Sequence, residues 1–555
     1  MNYTTHTLCN AKPIAFEQGR KDVTRISGMG FAIPTLRNRK YLNPFAEFLD
    51  RCLPRRRPQF RFTNLNILEQ MFVSGIAGAP HFQDAVNLAA DPVFSLICSE
   101  AGVASPATLC RFVNRIERAC LKEQTAALNA CGKRLDELEK TDPIVVQTSL
   151  TRELNLILLD SCLRILRTRD PQEIVIDVDG TPVPLFGQQN QRAYDGHYGC
   201  TCYLPVLATI NGLPAYVQNA PGAANGAKLV NGFIEELLVR VKQMFPGKLV
   251  VVRADTGFNN TDLIAKIEAQ SCRYIIGNNA CGGKYQTEAL VAQVREDYEQ
   301  IADRDGIPQR VLSFFCPEHF VLANPVQLKP GQRPRIYRAC GFLRGYQAKS
   351  WKTPRTVAYR LQYNEAFEEK DSAVNLRFIQ SNLSEQELMQ LAQGRGLKKG
   401  RASPQTSLEP DLSEAEKAAE IYESVFCDRG MDERLNCEWK SHCFASNCSC
   451  SGFFANSVRM IFSAVQMLGL AWLRMDLFDE STRPQPKKRR HSAKPNVTRA
   501  HQADKRHVGP TLQSIRYWLI NVPAVVKIRA RQIFISMAPV SPFWQQAMKR
   551  LAYLS

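Results

Sequence analysis

At 555 residues the chain is several times longer than an ordinary domain, so it can bury a large core and should fold as several modules. Lys and Arg number 71 against 53 Asp and Glu, a formal net charge of +18 with a pI near 9.2, which favours a polyanionic partner, nucleic acid first, over an acidic small molecule. The best apolar candidate for a membrane span, residues 460–473, falls short of the about 20 residues required, and residues 1–15 show no apolar run behind a basic start, so the expectation is a cytoplasmic protein with no membrane partner.

Read in chain order, residues 41–121 carry apolar positions at helical spacing, as in Leu65, Ile67, Leu68, Met71 and Phe72. Ser105 can cap a helix whose first position is Pro106, and the turn Gly102-Val103-Ala104 before it gives the outline of a helix-turn-helix, with an ordinary helical hairpin as the alternative. Arg111 on that helix is a candidate DNA contact. Residues 1–150 are therefore read as a helical DNA-binding region.

From residue 151 to 280 the pattern turns to alternating strands and helices. Residues 174–179 read as a buried strand, 202–210 and 213–218 as its antiparallel neighbours, and 228–244 as an amphipathic helix. The strand 248–253, a helix over 261–270 and the strand 273–276 complete the order of an α/β, RNase H-like core that lacks its last helix. Residues 281–400 read as a β-rich insertion after a charged helix, with strands near 311–315, 335–342, 356–363 and 376–380. Residues 401–480 hold a polar loop, a helix from 413 towards 440 that can complete the core, and an apolar helix over 457–473. Residues 481–506 form a basic linker containing Lys487-Lys488-Arg489-Arg490, and 507–555 a C-terminal helical region. The 18 cysteines are scattered, and the cluster His442, Cys443, Cys448 and Cys450 fits none of the paired C-x-x-C spacings of structural zinc, so free thiols are expected.

Phosphodiester transfer needs an oxygen nucleophile and a stabilised leaving oxygen, which two divalent ions about 3.5–4 Å apart can serve together. Such hard ions prefer carboxylate oxygens. Asp179 ends the first core strand and Asp255 the fourth, each followed by small residues, and either alone would be an ordinary turn or cap residue. Asp177 shares a strand face with Asp179 but lies further from the open end, as a supporting or buried acid. On a regular helix at about 100° per residue, Arg429, Glu433 and Lys440 face one way, an acid flanked by two cations that could grip phosphates. A solvated helix edge is the bland alternative.

These residues resemble the DDE transposases of bacterial insertion sequences, in the group with a Tyr-x2-Arg-x3-Glu-x6-Lys signature, which matches at Arg429, Glu433 and Lys440 with Phe426 in the tyrosine position. Within that group the chain is most similar to insertion-sequence family thirteen-eighty. The likeness is carried by Asp177-Val178-Asp179-Gly180-Thr181, Asp195-Gly196-His197-Tyr198-Gly199, Arg253-Ala254-Asp255-Thr256-Gly257-Phe258, Tyr346-Gln347-Ala348-Lys349-Ser350-Trp351, the segment from Ala104 to Leu109, and the segment from Ala455 to Arg459.

The resemblance implies cut-and-paste transposition, with Asp179, Asp255 and Glu433 holding two Mg2+ ions, or Mn2+ as a substitute. It implies double-stranded DNA partners, the terminal inverted repeats and a target, held by a homodimer. It also implies base stacking by an aromatic residue of the insertion, for which Trp351 is the candidate, with a place in the insertion's core as its alternative. Other readings of the chain are an RNase H-like nuclease that does not join DNA and a non-catalytic DNA-binding protein derived from a transposase.

Overall fold

The structure, a computed structural model, describes residues 5–7, 13–15, 22–53, 61–98, 102–278, 336–348, 351, 353–364, 374–384, 386–388, 391, 418, 421–477, 511–529 and 532–537. The chain divides into two units, Met1–Lys122 with Glu438–Arg499 and Lys505–Ser555, and Glu123–Cys437 with Ala500–Asp504. The expected charged helix after residue 280, the strand at 311–315, the polar loop before the last core helix and the basic linker lie outside the described residues.

In the first unit Phe453–Leu477 packs against Asn64–Ala77, which also packs against Asn43–Cys52, and it is joined to Pro106–Cys131 through the Ala455 N–H donating to Glu117. The helix at Pro106 begins where the sequence predicts, with the Ser105 hydroxyl accepting from the Thr108 N–H at 3.3 Å. It buries Leu109, Phe112, Val113 and Ile116 and leaves Arg111 exposed, with its Nε donating to the Ala107 carbonyl of its own turn.

The apolar helix is longer than expected, 25 residues from Phe453 to Leu477, and its most apolar 18-residue window has a mean hydropathy of 1.3, so it meets the length and composition of a membrane span. The most apolar window is 89% buried inside the unit, which makes it a core helix. Arg516, itself buried, donates to the Ile76 and Gly75 carbonyls and so satisfies the end of Asn64–Ala77, where a cation also complements the helix dipole.

The C-terminal region differs from the helical expectation. After Leu512–Ile515 and the wide turn Arg516–Ile520, the strands Ala524–Ile528 and Ile533–Met537 form an antiparallel hairpin that also pairs with Val23–Thr24. The β-branched run Val525, Val526, Ile528, Ile533 and Ile535 favours extended backbone over the helical periodicity read into it. Residues 538–555 lie outside the described set.

The second unit is built on one eight-stranded sheet. Its strands are β1 (Glu173–Gly180), β2 (Val206–Ile210), β3 (Leu213–Gln218), β4 (Leu249–Ala254), β5 (Arg273–Asn278), β6 (Ile336–Tyr346), β7 (Arg355–Asn364) and β8 (Val374–Ser381). Their spatial order is β6-β7-β8-β5-β4-β1-β2-β3. β1, β4 and β5 run parallel and the remaining pairings are antiparallel. The parallel centre is apolar on both faces, as in Ile174, Val175, Ile176 and Val250, Val251, Val252, because helices Ser149–Arg167, Ile234–Met244 and Thr261–Ala269 pack over it. Asn155 locks the first of these helices to β3 by donating to the Val217 carbonyl and accepting from the Val217 N–H.

Two further differences from the sequence reading follow from backbone pairing. The strand expected over 202–210 is broken at Leu204-Pro205, since Pro205 has no N–H to give a ladder. Cys200–Tyr203 instead forms a small sheet with Val183–Pro184 and Ala193–Asp195. The described strands of the expected insertion do not form a separate body, because β8 pairs with β5 and so β8, β7 and β6 extend the main sheet. The edge of β5 would otherwise present unpaired backbone groups.

Inside this sheet Asp177 on β1 and Arg253 on β4 are register partners and form a buried bidentate pair, Nε–Oδ1 2.5 Å and Nη2–Oδ2 2.7 Å. Arg253 Nη1 also donates to the Val425 carbonyl at 2.5 Å. Removing one partner of a buried pair leaves an uncompensated charge, so Asp177→Ala is expected to destabilise the unit by about 3–5 kcal/mol. Chemical denaturation of the full-length protein checks this, and a midpoint unchanged from wild type would contradict it.

Candidate active site

Two residues beyond the Asp177–Arg253 pair come Asp179, last but one in β1, and Asp255, just past β4, so the pairing that aligns the buried residues also brings these acids side by side. Asp255 begins the turn Thr256–Phe258, and its Oδ1 accepts from the Gly257 N–H at 2.9 Å. Its capping role and its place in the site are therefore compatible. β5 passes close beneath this turn, where a Cβ at Gly277 would come within 2.8 Å of the Thr256 nitrogen.

The helical segment after Val425 closes the site. Ile421–Phe426 is a wide turn, Cys427–Arg429 a tight one, and Gly430–Cys437 an α-helix. Arg429 Nη2 stands 3.8 Å from Asp255 Oδ2, and Asn436 Nδ2 donates to Asp179 Oδ2 at 2.5 Å. Glu433 is exposed and close enough to act on Asp179 electrostatically. Burial pushes the Asp179 carboxyl up to about 6; Arg429 and the Asn436 hydrogen bond oppose the rise, and Asp255 and Glu433 add to it. The Tyr198 phenol, 42% exposed, is raised by burial and then by the charges of Asp179, Asp195 and Asp255.

Of the residues singled out from sequence, the fold thus gathers Asp179, Asp255, Glu433 and Arg429. Lys440 lies in the wide turn Glu438–His442 of the other unit, so the uniform step that aligned it with Glu433 does not continue to it. Phe426, in the position of the signature tyrosine, packs against Tyr422 at 5.5 Å and carries the Arg429 guanidinium over its ring at 5.8 Å.

Trp351 is 7% exposed in a cluster with Val357, Tyr359 and Phe378, edge-on to Tyr346, with the Arg355 guanidinium 4.4 Å from its ring centre. Arg355 in turn donates to Gln380, and Gln380 to Asn259 just after the Asp255 turn. Trp351 therefore occupies a core cluster, the alternative place that the sequence allowed it, and is joined to the Asp255 turn through Arg355, Gln380 and Asn259.

Arg253, Asn436 and Tyr198 were not assigned to the site from sequence. Asn436 lies three residues after Glu433 on the same helix, a spacing that could have found it. Tyr198 lies in the stretch Asp195-Gly196-His197-Tyr198-Gly199, which turns between two strands of the small sheet.

Chemically, an acid cluster with one near cation is suited to a hard divalent ion, since Asp255 and Glu433 add to the cost of ionising Asp179. Among the described residues no three His, Cys, Asp or Glu side chains converge tightly enough to form a metal site as they stand. Asp179 and Asp255 are the pair best placed to hold such an ion, with Glu433 at the rim.

The family model for "Transposase DDE domain group 1" matches residues 35–490. No curated protein matches the chain in sequence. Among solved structures, the chain is similar to the cryo-EM structure of a piggyBac transposase synaptic complex with hairpin DNA, at 10% identity and a TM-score of 0.36, covering 80% of this chain and 73% of that one. At that score the likeness is loose, and the assignment rests on the family model.

The folded Asp179 carboxyl titrates near 6 against an ordinary 3.8, so its contribution to stability is fully present below about 3.8 and is lost as the pH rises through about 6. With divalent ions chelated, Asp179→Asn should therefore stabilise the protein at pH 7 by about 1–3 kcal/mol and by much less at pH 4. Denaturation midpoints at the two pH values test this, and equal effects at both would remove the buried charge as the cause.

Proposed function

Since the chain belongs to the transposase DDE domain group 1 family, and so is a DNA-cleaving transposase, we propose that it moves a bacterial insertion sequence by cutting and pasting DNA at Asp179, Asp255 and Glu433. The observation that carries this reading is the register of β1 and β4, which sets Asp179 and Asp255 together under the helix of Arg429 and Glu433. Two acids from neighbouring strand ends and a third from a covering helix are the arrangement that phosphodiester chemistry on a long polymer needs, because the substrate must lie across the sheet's open end.

In this reading Asp179, Asp255 and Glu433 hold divalent ions, Mg2+ in the first instance. When bound, these ions activate water or a 3′-hydroxyl and stabilise the leaving oxygen. Asn436 fixes the Asp179 carboxylate by a hydrogen bond to one oxygen. Arg429, braced on Phe426, holds positive charge beside Asp255 where a DNA phosphate would pass. The net charge of +18 supplies the longer-range attraction for DNA. The partners are the element's terminal inverted repeats and a target duplex, bound by a homodimer that holds the two ends together.

The test is cleavage and strand transfer in Mg2+ on DNA carrying the element's own ends, comparing wild type with Glu433→Gln. Loss of a supporting residue at a metal site costs about 10–100-fold, so loss of a direct ligand should cost at least about a hundredfold. Equal activity in both would unseat Glu433. Cleavage by wild type without joining would reduce the reading to a nuclease.

Arg111, exposed on its helix in the first unit, is the proposed end-binding contact. Arg111→Ala should weaken binding to the terminal repeat and lower the slope of log affinity against log salt by about 1. An unchanged slope in a salt titration would take Arg111 out of the interface.

A further inference from the structure

The hairpin of Ala524–Ile528 and Ile533–Met537 is fixed at its base and free at its tip. At the base Ala524 and Val525 pair with Thr24 and Val23, and the Val526 N–H donates to the Asp22 carbonyl at 2.8 Å. Thr24 is held in turn by Asp91, whose Oδ1 accepts from the Thr24 hydroxyl at 2.7 Å. Gly28 lies so close to the chain leading into the hairpin that a Cβ there would overlap the Leu519 carbonyl. At the far end the Arg529 N–H donates to the Gln532 carbonyl at 3.0 Å and the Gln532 N–H donates to the Arg529 carbonyl at 3.4 Å, which closes the hairpin.

Side chains alternate between the two faces of a strand, so burial along the ribbon tells how far it stands out. One face carries Val525 with Ser536 and then Lys527 with Phe534, all at least partly exposed. On the other face Ala524 and Val526 are buried, and Ile535 packs over Gly30, where a Cβ would come 2.7 Å from its Cδ1. The last pair on that face, Ile528 and Ile533, is 66% and 45% exposed. Both faces are open at this end, so the ribbon leaves the body of its unit just after Val526. Ile533–Met537 is also an edge strand of its sheet, and it contains neither the charge nor the proline that ordinarily blunts such an edge. Lys527 and Arg529 are exposed beside the apolar tip, with the Arg529 guanidinium 5.0 Å from the centre of the Phe534 ring. The sequence holds no Asp or Glu after Asp504.

We propose that this ribbon lies tip first in the major groove of double-stranded DNA, with Lys527 and Arg529 on the flanking phosphates and Ile528 and Ile533 against the base edges. The inference rests on the transposase reading, which supplies DNA as the partner. Two paired strands about 5 Å apart, with their side chains, fit a groove about 12 Å wide and are too broad for one of about 6 Å. The thymine methyl groups, which suit an apolar tip, also face the wider groove. Charge separates this partner from a second copy of the chain. The same edge on another copy would bring the same cations and no acid to meet them, whereas a duplex presents one negative charge per about 1.7 Å of its axis. A ribbon rigid at its base has little freedom left to lose when it binds.

The experiment uses the full-length protein with Glu433→Gln, to hold DNA uncut, in salt titrations of binding to a terminal-repeat duplex and to an unrelated duplex of the same length. Replacing Lys527 and Arg529 together by Ala should lower the slope of log affinity against log salt by about 2. Ile528→Ser should weaken binding about fivefold with the slope unchanged, since it removes apolar contact and no charge. Guanine N7 atoms, which face the major groove, should be protected from dimethyl sulfate by the intact ribbon and exposed again in the double variant. A loss on the terminal repeat alone assigns the ribbon to the element's ends, and a loss on both duplexes assigns it to DNA of any sequence; either supports the inference. Because the altered side chains are exposed, denaturation midpoints should match the parent protein. Unchanged slope and affinity on both duplexes would overturn the inference, as would an unchanged N7 footprint in the double variant. So would a change in oligomeric state without DNA, which would give the edge to a second copy of the chain. With Glu433 intact, a protein that fails to cleave its own ends in Mg2+ would unseat the transposase reading itself, whereas normal cleavage and binding by both ribbon variants would sink the ribbon alone.

Discussion

Arg253 and Asp177 face each other across two parallel strands in a sheet whose surroundings are apolar, and every ordering at the site begins from that pair. A buried guanidinium tolerates few positions, since each N–H must find an acceptor in a medium without water. Here two go to one carboxylate and another to the carbonyl of Val425. The carboxylate sets the register of β1 against β4. The carbonyl ties in the turn from which the helix of Glu433 departs. Three segments far apart in sequence are thereby aligned by one planar group, and Asp179 and Asp255 follow two residues later on each strand. The pair's worth lies less in net stability, which for buried ions is modest, than in the single arrangement it permits.

What the pair assembles is electrostatically unfavourable when it stands alone. Asp179 is desolvated and faced by two further acids, and its raised carboxyl is the local sign of that cost. Arg429 and Asn436 offset part of it. Sites built to bind hard cations or to act on phosphates carry this kind of stored repulsion, which is relieved by the ligand and maintained by the rest of the fold. Phe426 takes part without a hydroxyl, since its ring is the surface on which Arg429 rests.

The aromatic residues of the second unit divide by burial. Trp351 is enclosed with Val357, Tyr359 and Phe378 and supports Arg355, which reaches the Asp255 turn through Gln380 and Asn259. Phe186 and Tyr198, in and near the small sheet, are both exposed, the first almost wholly.

The sequence by itself determined the elements whose signal is local. The apolar run of β1, the Ser105-Pro106 helix start and the strand-end positions of Asp179 and Asp255 all depend on residues within a few places of one another, and each lies where the pattern indicated. Only the tertiary structure decided the rest. Pairing with β5 joined β8, β7 and β6 to the main sheet, contact with Val23–Thr24 accompanied an extended C-terminal hairpin, and the helical pitch changes after Cys437, before Lys440 is reached. Burial put Trp351 in a core cluster with Val357, Tyr359 and Phe378. Backbone pairing, helical pitch and solvent exposure are fixed by partners distant in the chain, and a periodicity read over neighbouring residues carries no information about them.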